Sequence, residues 1–109
     1  MTIGETDLVG LVTKIVSASP EDREYGANTC SDWSPLFDQD EADLLVRILA
    51  LTAASEDHET IREIQLHALL RIDEHLLVRT ELLAPLRRLF SAQLDEEQAD
   101  YLQELGVRP

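Results

Sequence analysis

Apolar positions recur at helical spacing along almost the whole chain, and nowhere do they alternate as a half-buried strand requires. Leu8, Leu11, Val12 and Ile15, flanked by Val9 and Val16, predict a first helix over about residues 5–17. Thr2 followed by Glu5 has the form of a capping box for it, and Pro20 lies beyond its end. Ser19-Pro20-Glu21-Asp22 reads as the next helix start: a capping hydroxyl, a proline at the first position, then acids at the positive end of the helix dipole. Gly26 and Asn28 predict that this second helix stops within two turns. Residues 26–34 then read as a loop holding Cys30 and Trp33, ahead of another start at Ser34-Pro35.

In Phe37-Asp38-Gln39-Asp40-Glu41-Ala42, Asp38 can cap, Glu41 can reach back, and Phe37 can staple onto Ala42. The helix that follows, to about Ala54, carries Leu44, Leu45, Val46, Ile48, Leu49 and Leu51. Apolar residues go nearly all the way round it, so a central, buried position is expected. A further long helix is predicted from His58 to Ile72. Ile61, Ile64, Ala68 and Ile72 line one face and Leu66 and Leu70 nearly the opposite one, so it too should be sandwiched, with residues 73–75 as a short connection or frayed end. Gln65 falls within its main apolar face, where it either pins a loop or marks a surface left open. Thr80 can cap a helix with the stripe Leu82, Leu83, Leu86, Leu89 and Phe90, with a kink or a tight first turn at Pro85. Leu94 to Ala99 repeats the staple-and-cap pattern with Asp95 as the cap, and the last helix should run to Leu105 and end at Gly106.

These elements predict one all-α domain over residues 1–109. About five helices would form an irregular antiparallel bundle or a short HEAT-like α-solenoid. Asp38 to Leu45 resembles Asp95 to Leu102, through either shared capping chemistry or duplication.

Charge narrows the function. Among 109 residues, 22 acids face 9 bases, a net charge of −13. Such a chain is repelled by nucleic acid, whose binders neutralise phosphates with Lys and Arg, and by anionic membrane surfaces. A basic protein partner is instead drawn in. No apolar run approaches the roughly 20 residues of a membrane span, no positively charged, apolar leader is seen, and the single Cys30 has no internal disulfide partner. The expectation is a cytoplasmic protein.

Candidate chemistry is sparse. Glu63 and His67, four apart, share a helix face and could supply half a metal site, but neither His58 nor His75 completes a pattern. Cys30, near Asp32, has no cation pattern to stabilise a thiolate. Neither a nucleophile elbow nor a glycine-rich phosphate loop is present. No catalytic residue, metal ligand or cofactor is expected, and the chain reads as a non-enzyme.

Two features favour binding. Glu21 to Asp43 holds eight acids and one base, and Asp95 to Glu104 five acids and no base; if they meet, they form a negative patch. Tyr25 and Trp33, with Asn28, Ser31 and Asp32 between, have the aromatic and polar mixture of an interface hot spot, unless Trp33 plugs the core. The candidate partner-binding residues are Tyr25, Asp32, Trp33, Asp38, Asp40, Asp43, Glu63 and His67.

Three runs, Cys30 to Phe37, Ile64 to Leu70 and Gln98 to Leu102, resemble small acidic helical immunity proteins of bacterial polymorphic toxin and contact-dependent inhibition systems. That resemblance implies tight, acidic-face binding to a toxin domain, often a basic nuclease, with the toxin's site or exit blocked. Two alternatives stand beside it: an acidic DNA mimic or regulatory adaptor, and a small metal-dependent enzyme.

Overall fold

The computed structural model describes residues 1–92 and 94–109. Five α-helices are present: α1 (Glu5–Ile15), α2 (Pro20–Trp33), α3 (Gln39–Ser55), α4 (Glu59–His75) and α5 (Glu96–Glu104). A 3₁₀ turn (Ser34–Leu36) follows α2, and a long 3₁₀ segment (Thr80–Ser91) precedes α5. Among the described residues there is no strand.

The contacts order the helices into two layers. The N-terminus of α1 meets Glu41 near the start of α3, and Val16, just past its end, lies with Thr52 and Ser55 near the end of α3. Thus α1 and α3 run parallel. Arg79, at the head of the 3₁₀ segment, pairs with Asp43 near the start of α3, so that segment runs the same way. The helices α2, α4 and α5 run oppositely: Ser31 meets His67, Gln98 meets Arg62 and the carbonyl of Glu59, and His67 meets Tyr101. One layer is therefore α1, α3 and the 3₁₀ segment, and the other is α2, α4 and α5, with the hairpins stacked in solenoid order. The overall extents, 37 × 29 × 18 Å, suit a slab two helices thick.

Several capping signals act as the sequence predicts. The Ser19 hydroxyl accepts from the Asp22 amide, with Pro20 at the first position. Asp38 and Glu41 close a full capping box on α3, with Phe37 and Ala42 both buried beside it. Asp95 accepts from the Gln98 amide at 2.8 Å. Gly106, at φ 79°, ends α5, with the amides of Gly106 and Val107 returning to the carbonyls of Gln103 and Leu102. These close a Schellman turn that satisfies orphan carbonyls.

Other elements depart from the reading of the sequence. α2 runs straight through Gly26 to Trp33, because Gly26 is where it crosses α1. A Cβ there would stand 2.8 Å from the backbone nitrogen of Ile15, so tertiary contact outweighs the helix-breaking tendency of glycine. Thr2 does not cap α1, whose N-cap is Gly4; its hydroxyl donates to Glu41 at 2.7 Å. α4 continues through residues 73–75 to His75. The Thr80–Ser91 segment is 3₁₀ along its whole length, tighter than an α-helix with a single kink or tight turn at Pro85, and Arg79 rather than Thr80 holds its cap position. Leu83, Leu86 and Leu89, all buried, follow the three-residue repeat that lines up one face of a 3₁₀ helix. Phe90, expected in the apolar stripe, is 39% exposed. Ala99, the partner expected for Leu94 in a staple, is exposed. α3 is not buried all round: Ala42, Leu45, Val46, Leu49, Ala50 and Ala53 face the core, while Leu44 and Leu51 lie in solvent.

Two carboxylates join the elements. Glu56, just past α3, is buried and takes a two-pronged bond from Arg23 of α2, at 2.8 and 2.9 Å. It also accepts from the Gln65 amide at 2.9 Å and the His58 N–H at 3.3 Å. Arg23 extends to the carbonyls of Ser17 and Ala18. Arg62 bonds the Glu56 carbonyl at 3.2 Å and Gln98 at 2.7 Å. Gln65 therefore pins a carboxylate rather than a loop backbone, and its own carbonyl oxygen has no partner. At the opposite end, Glu41 accepts from Thr2, Ile3, Gly4 and Asp38.

Two tests follow. Gly26→Ala should destabilise by about 1–3 kcal/mol through forced overlap with α1, whereas Gly10→Ala, with nothing within 4 Å of the added carbon, should stabilise by roughly 0.5–1 kcal/mol. Denaturant titration of both measures the contrast. Burial pushes the Glu56 carboxyl up, but the bonds from Arg23, His58 and Gln65 outweigh it and leave it below the usual range. Its contribution is therefore present above the unfolded value and lost as pH falls through the folded one. Arg23→Ala should cost about 3 kcal/mol at neutral pH by stranding that charge, with the difference from wild type shrinking in acid.

Candidate functional site

Charge divides between the layers. α2, α4 and α5 carry twelve acids and three bases, while α1, α3 and the 3₁₀ segment carry six acids and four bases. Two of the three bases in the acidic layer, Arg23 and Arg62, are spent on the internal network around Glu56. The outward side of this layer is therefore strongly negative. The two acidic runs noted in the sequence contribute to it through α2 and α5, which flank α4.

At its centre, α4 and α5 lie parallel and in register, each bearing an acid four residues before an aromatic ring: Glu63 and His67 on one, Glu97 and Tyr101 on the other. The rings of His67 and Tyr101 are 6.2 Å apart and inclined at 55°. The Tyr101 hydroxyl donates to Glu97 at 3.2 Å. The Glu63 carboxyl is raised above its ordinary range by hydrogen bonding with Glu97, by burial, and by the charges of Glu97, Asp95 and Glu59. Like charge beside it makes the ionised form of Glu63 harder to hold. On the other side of His67, its Nδ1 lies 3.5 Å from the Ser31 hydroxyl of α2. Among the described residues no carboxylate accepts a hydrogen bond from that ring, so Ser31 and His67 there lack the third member of a hydrolytic triad.

The aromatic candidates lie beside this ridge. Tyr25 is 64% exposed, with the Lys14 ammonium 5.8 Å from its ring centre. Trp33 packs against the core yet also lines three adjoining hollows. One, of about 440 Å³, is bordered by Glu21, Glu24, Tyr25, Asn28 and Asp32. The second, about 230 Å³, opens between α1 and α2 over Gly10 and Thr29, and the third, about 430 Å³, lies against Ile3 and Leu36. Trp33 thus supports the core and at the same time lines a groove with an acidic rim. Residues 26–33, expected to be a loop, achieve this as helix, because Tyr25, Thr29 and Trp33 recur every four residues.

Five candidates from the sequence, Tyr25, Asp32, Trp33, Glu63 and His67, fall on the acidic layer. Asp38, Asp40 and Asp43 do not join them; they sit at the start of α3 in the other layer. Asp38 is occupied as the cap, and Asp43 is held by Gln39 and Arg79. Glu97 and Tyr101 were absent from the candidates. The signal was present in their four-residue spacing, which repeats that of Glu63 and His67, but the register between the two helices is a tertiary fact.

Cys30 is fully buried, and burial pushes its thiol up to about 12, the behaviour of an inert core thiol. Among the described residues no three His, Cys, Asp or Glu side chains are grouped to hold a metal ion. Among the same residues no helix is long and apolar enough to cross a membrane.

Because the folded pKa of Glu63 is raised, its pairing with Glu97 favours the fold below the unfolded carboxyl value and loses that contribution as pH rises through the folded one. Glu63→Gln should therefore raise stability at neutral pH by about 0.5 kcal/mol, the scale of an exposed charge pair. The gain should vanish at acid pH; thermal melts at the two pH values check this. No family model matches the chain, and no curated protein or solved structure matches it.

Proposed function

We propose that this protein is a binding module that docks a basic protein through the layer of α2, α4 and α5, acting as an immunity or antitoxin-type inhibitor that covers a toxin domain. The observation that carries this reading is the concentration of acids on one layer, twelve against three bases. A solubility role alone asks only for mixed charge spread over the surface. Here Glu63 and Glu97 are held in mutual repulsion, and a guanidinium or ammonium group placed between them removes that repulsion while adding its own attraction. The Trp33 groove supplies what charge cannot. Exposed acids steer a partner and set its orientation, whereas affinity rests on buried aromatic anchors.

Function then requires no reacting group. A partner such as a nuclease has a basic substrate cleft, and an acidic slab with a 37 × 29 Å face seated on that cleft excludes the substrate sterically and electrostatically. The resemblance to toxin-immunity proteins supplies the kind of partner, and the acidic layer supplies the means of binding it.

The test uses the purified protein and the product of the neighbouring gene. A complex should form at micromolar concentration or tighter, weaken as salt rises, and abolish the partner's activity. Glu63→Lys with Glu97→Lys should weaken it at least tenfold, mainly by slowing association, and Trp33→Ala mainly by speeding dissociation. Absence of a complex at low salt, or a complex indifferent to both changes, removes this reading.

A further inference from the structure

The three hollows that meet at Trp33 have unlike walls. In the first, of about 440 Å³, Glu21, Glu24 and Asp32 stand around the exposed ring of Tyr25. The second, of about 430 Å³, is bounded by Met1, Ile3 and Leu36, with Asp7 as its charge. The third shares Tyr25, Thr29 and Trp33 with the first and Asp7 and Trp33 with the second, so the three form one groove along the junction of α1 and α2. Its floor stays open at Gly10, where an added Cβ would meet nothing within 4 Å.

We infer that this groove takes a short extended segment of the partner in which an arginine is followed, four residues later, by an aliphatic residue. The guanidinium enters the acidic hollow beside Tyr25, and the aliphatic side chain enters the hollow of Met1, Ile3 and Leu36, past Trp33. This rests on the reading that the acidic layer docks a basic protein, and it adds what that protein must present at one place. Charge selects the cation. α1 and α2 carry six acids and two bases. Arg23 is turned to the buried Glu56, which leaves Lys14 as the base that lines the groove. The chain also shows a cation seated there: the Lys14 ammonium lies 5.8 Å from the centre of the Tyr25 ring and 3.3 Å from Asp22. An aromatic face beside carboxylates attracts a cation. A guanidinium suits such a place better than an ammonium, because it stacks flat on the ring while its edge bonds two carboxylate oxygens. The groove then sets the length of the segment. Tyr25 and Trp33 are two turns apart, about 12 Å along α2. An extended chain advances roughly 3.3 Å per residue and returns its side chains to the same side every second residue, so its first and fifth side chains match that span.

The test titrates the acetylated, amidated pentapeptide arginine-alanine-alanine-alanine-leucine into the full chain at physiological salt. Emission of Trp33, the one tryptophan in the sequence, reports occupancy of the groove, and calorimetry measures affinity independently. A saturable emission change at millimolar peptide or below is expected, and citrulline, the neutral isostere, in place of the arginine should weaken binding about tenfold or more. Glu24→Gln with Asp32→Asn, and separately Tyr25→Ala, should each weaken it about fivefold or more while circular dichroism keeps the wild-type helicity, since all three side chains are exposed. Glu81→Gln with Glu104→Gln, an equal loss of charge outside the groove, should leave affinity within about twofold. A peptide that does not bind, that binds without moving Trp33 emission, or whose affinity follows net charge alone, overturns the inference. If the product of the neighbouring gene still forms its salt-sensitive complex in those cases, the docking reading stands and this groove has no part in it. Peptide binding without any such complex keeps the groove and removes the docking reading.

Discussion

The register of α2 through α5 depends on one buried carboxylate, Glu56, held by one arginine. Glu56 lies where α3 turns into α4, and Arg23 brings α2 to it with two parallel bonds of 2.8 and 2.9 Å. Neither charge could be buried alone, since desolvation of an unpaired ion costs several kcal/mol. Each therefore dictates the position of the other, and with it the position of its helix. The same carboxylate and its backbone carbonyl recruit Gln65 and Arg62 of α4, and Arg62 reaches Gln98 of α5. An aliphatic core of interchangeable leucines sets no unique register between helices. This polar chain, satisfied at all but one oxygen, sets it for four of the five.

Cap chemistry was legible in the sequence because it is local. Ser19-Pro20, Asp38 with Glu41, Asp95 and Gly106 act within one turn of themselves, so nothing distant overrides them. The failures share the opposite cause. Gly26 ends a helix by propensity, yet here it is the contact point with Ile15. Thr2 is suited to capping α1, but Glu41 lies nearer to its hydroxyl and draws it away. The 3₁₀ segment did announce itself, in the three-residue spacing of Leu83, Leu86 and Leu89; a reading tuned to a 3.6-residue period takes those leucines for a broad stripe.

The candidate site was half legible for a related reason. Charge can be counted along a chain, and the acidic runs were visible. Their distribution between two layers was not, because it depends on which helices alternate in direction. Asp38, Asp40 and Asp43 belong to the same acidic run as Asp32, but a helix reversal separates them and sends them to the other side of the slab. Glu63 and Glu97 lie 34 positions apart in sequence and become neighbours only because α4 and α5 run parallel.

Segregation of charge and of exposed apolar surface onto opposite layers follows from one constraint on α4. It is flanked by α2 and α5 and roofed by α3, and its inward face is filled by Ile61, Gln65, Leu66, Ala68, Leu69 and Ile72. Its outward face is then free for Glu63 and His67. α3, by contrast, is apolar nearly all round, and its core-facing side is already saturated by Leu45, Leu49 and Ala53, so Leu44 and Leu51 are left over. Carboxylates crowded against each other, as Glu63 and Glu97 are, cost folding free energy that a chain stabilised only for its own sake would shed by a single substitution. On the proposed reading that cost has a use. A cation arriving between the two offsets that repulsion, so the free energy it costs the free protein returns as affinity in the complex.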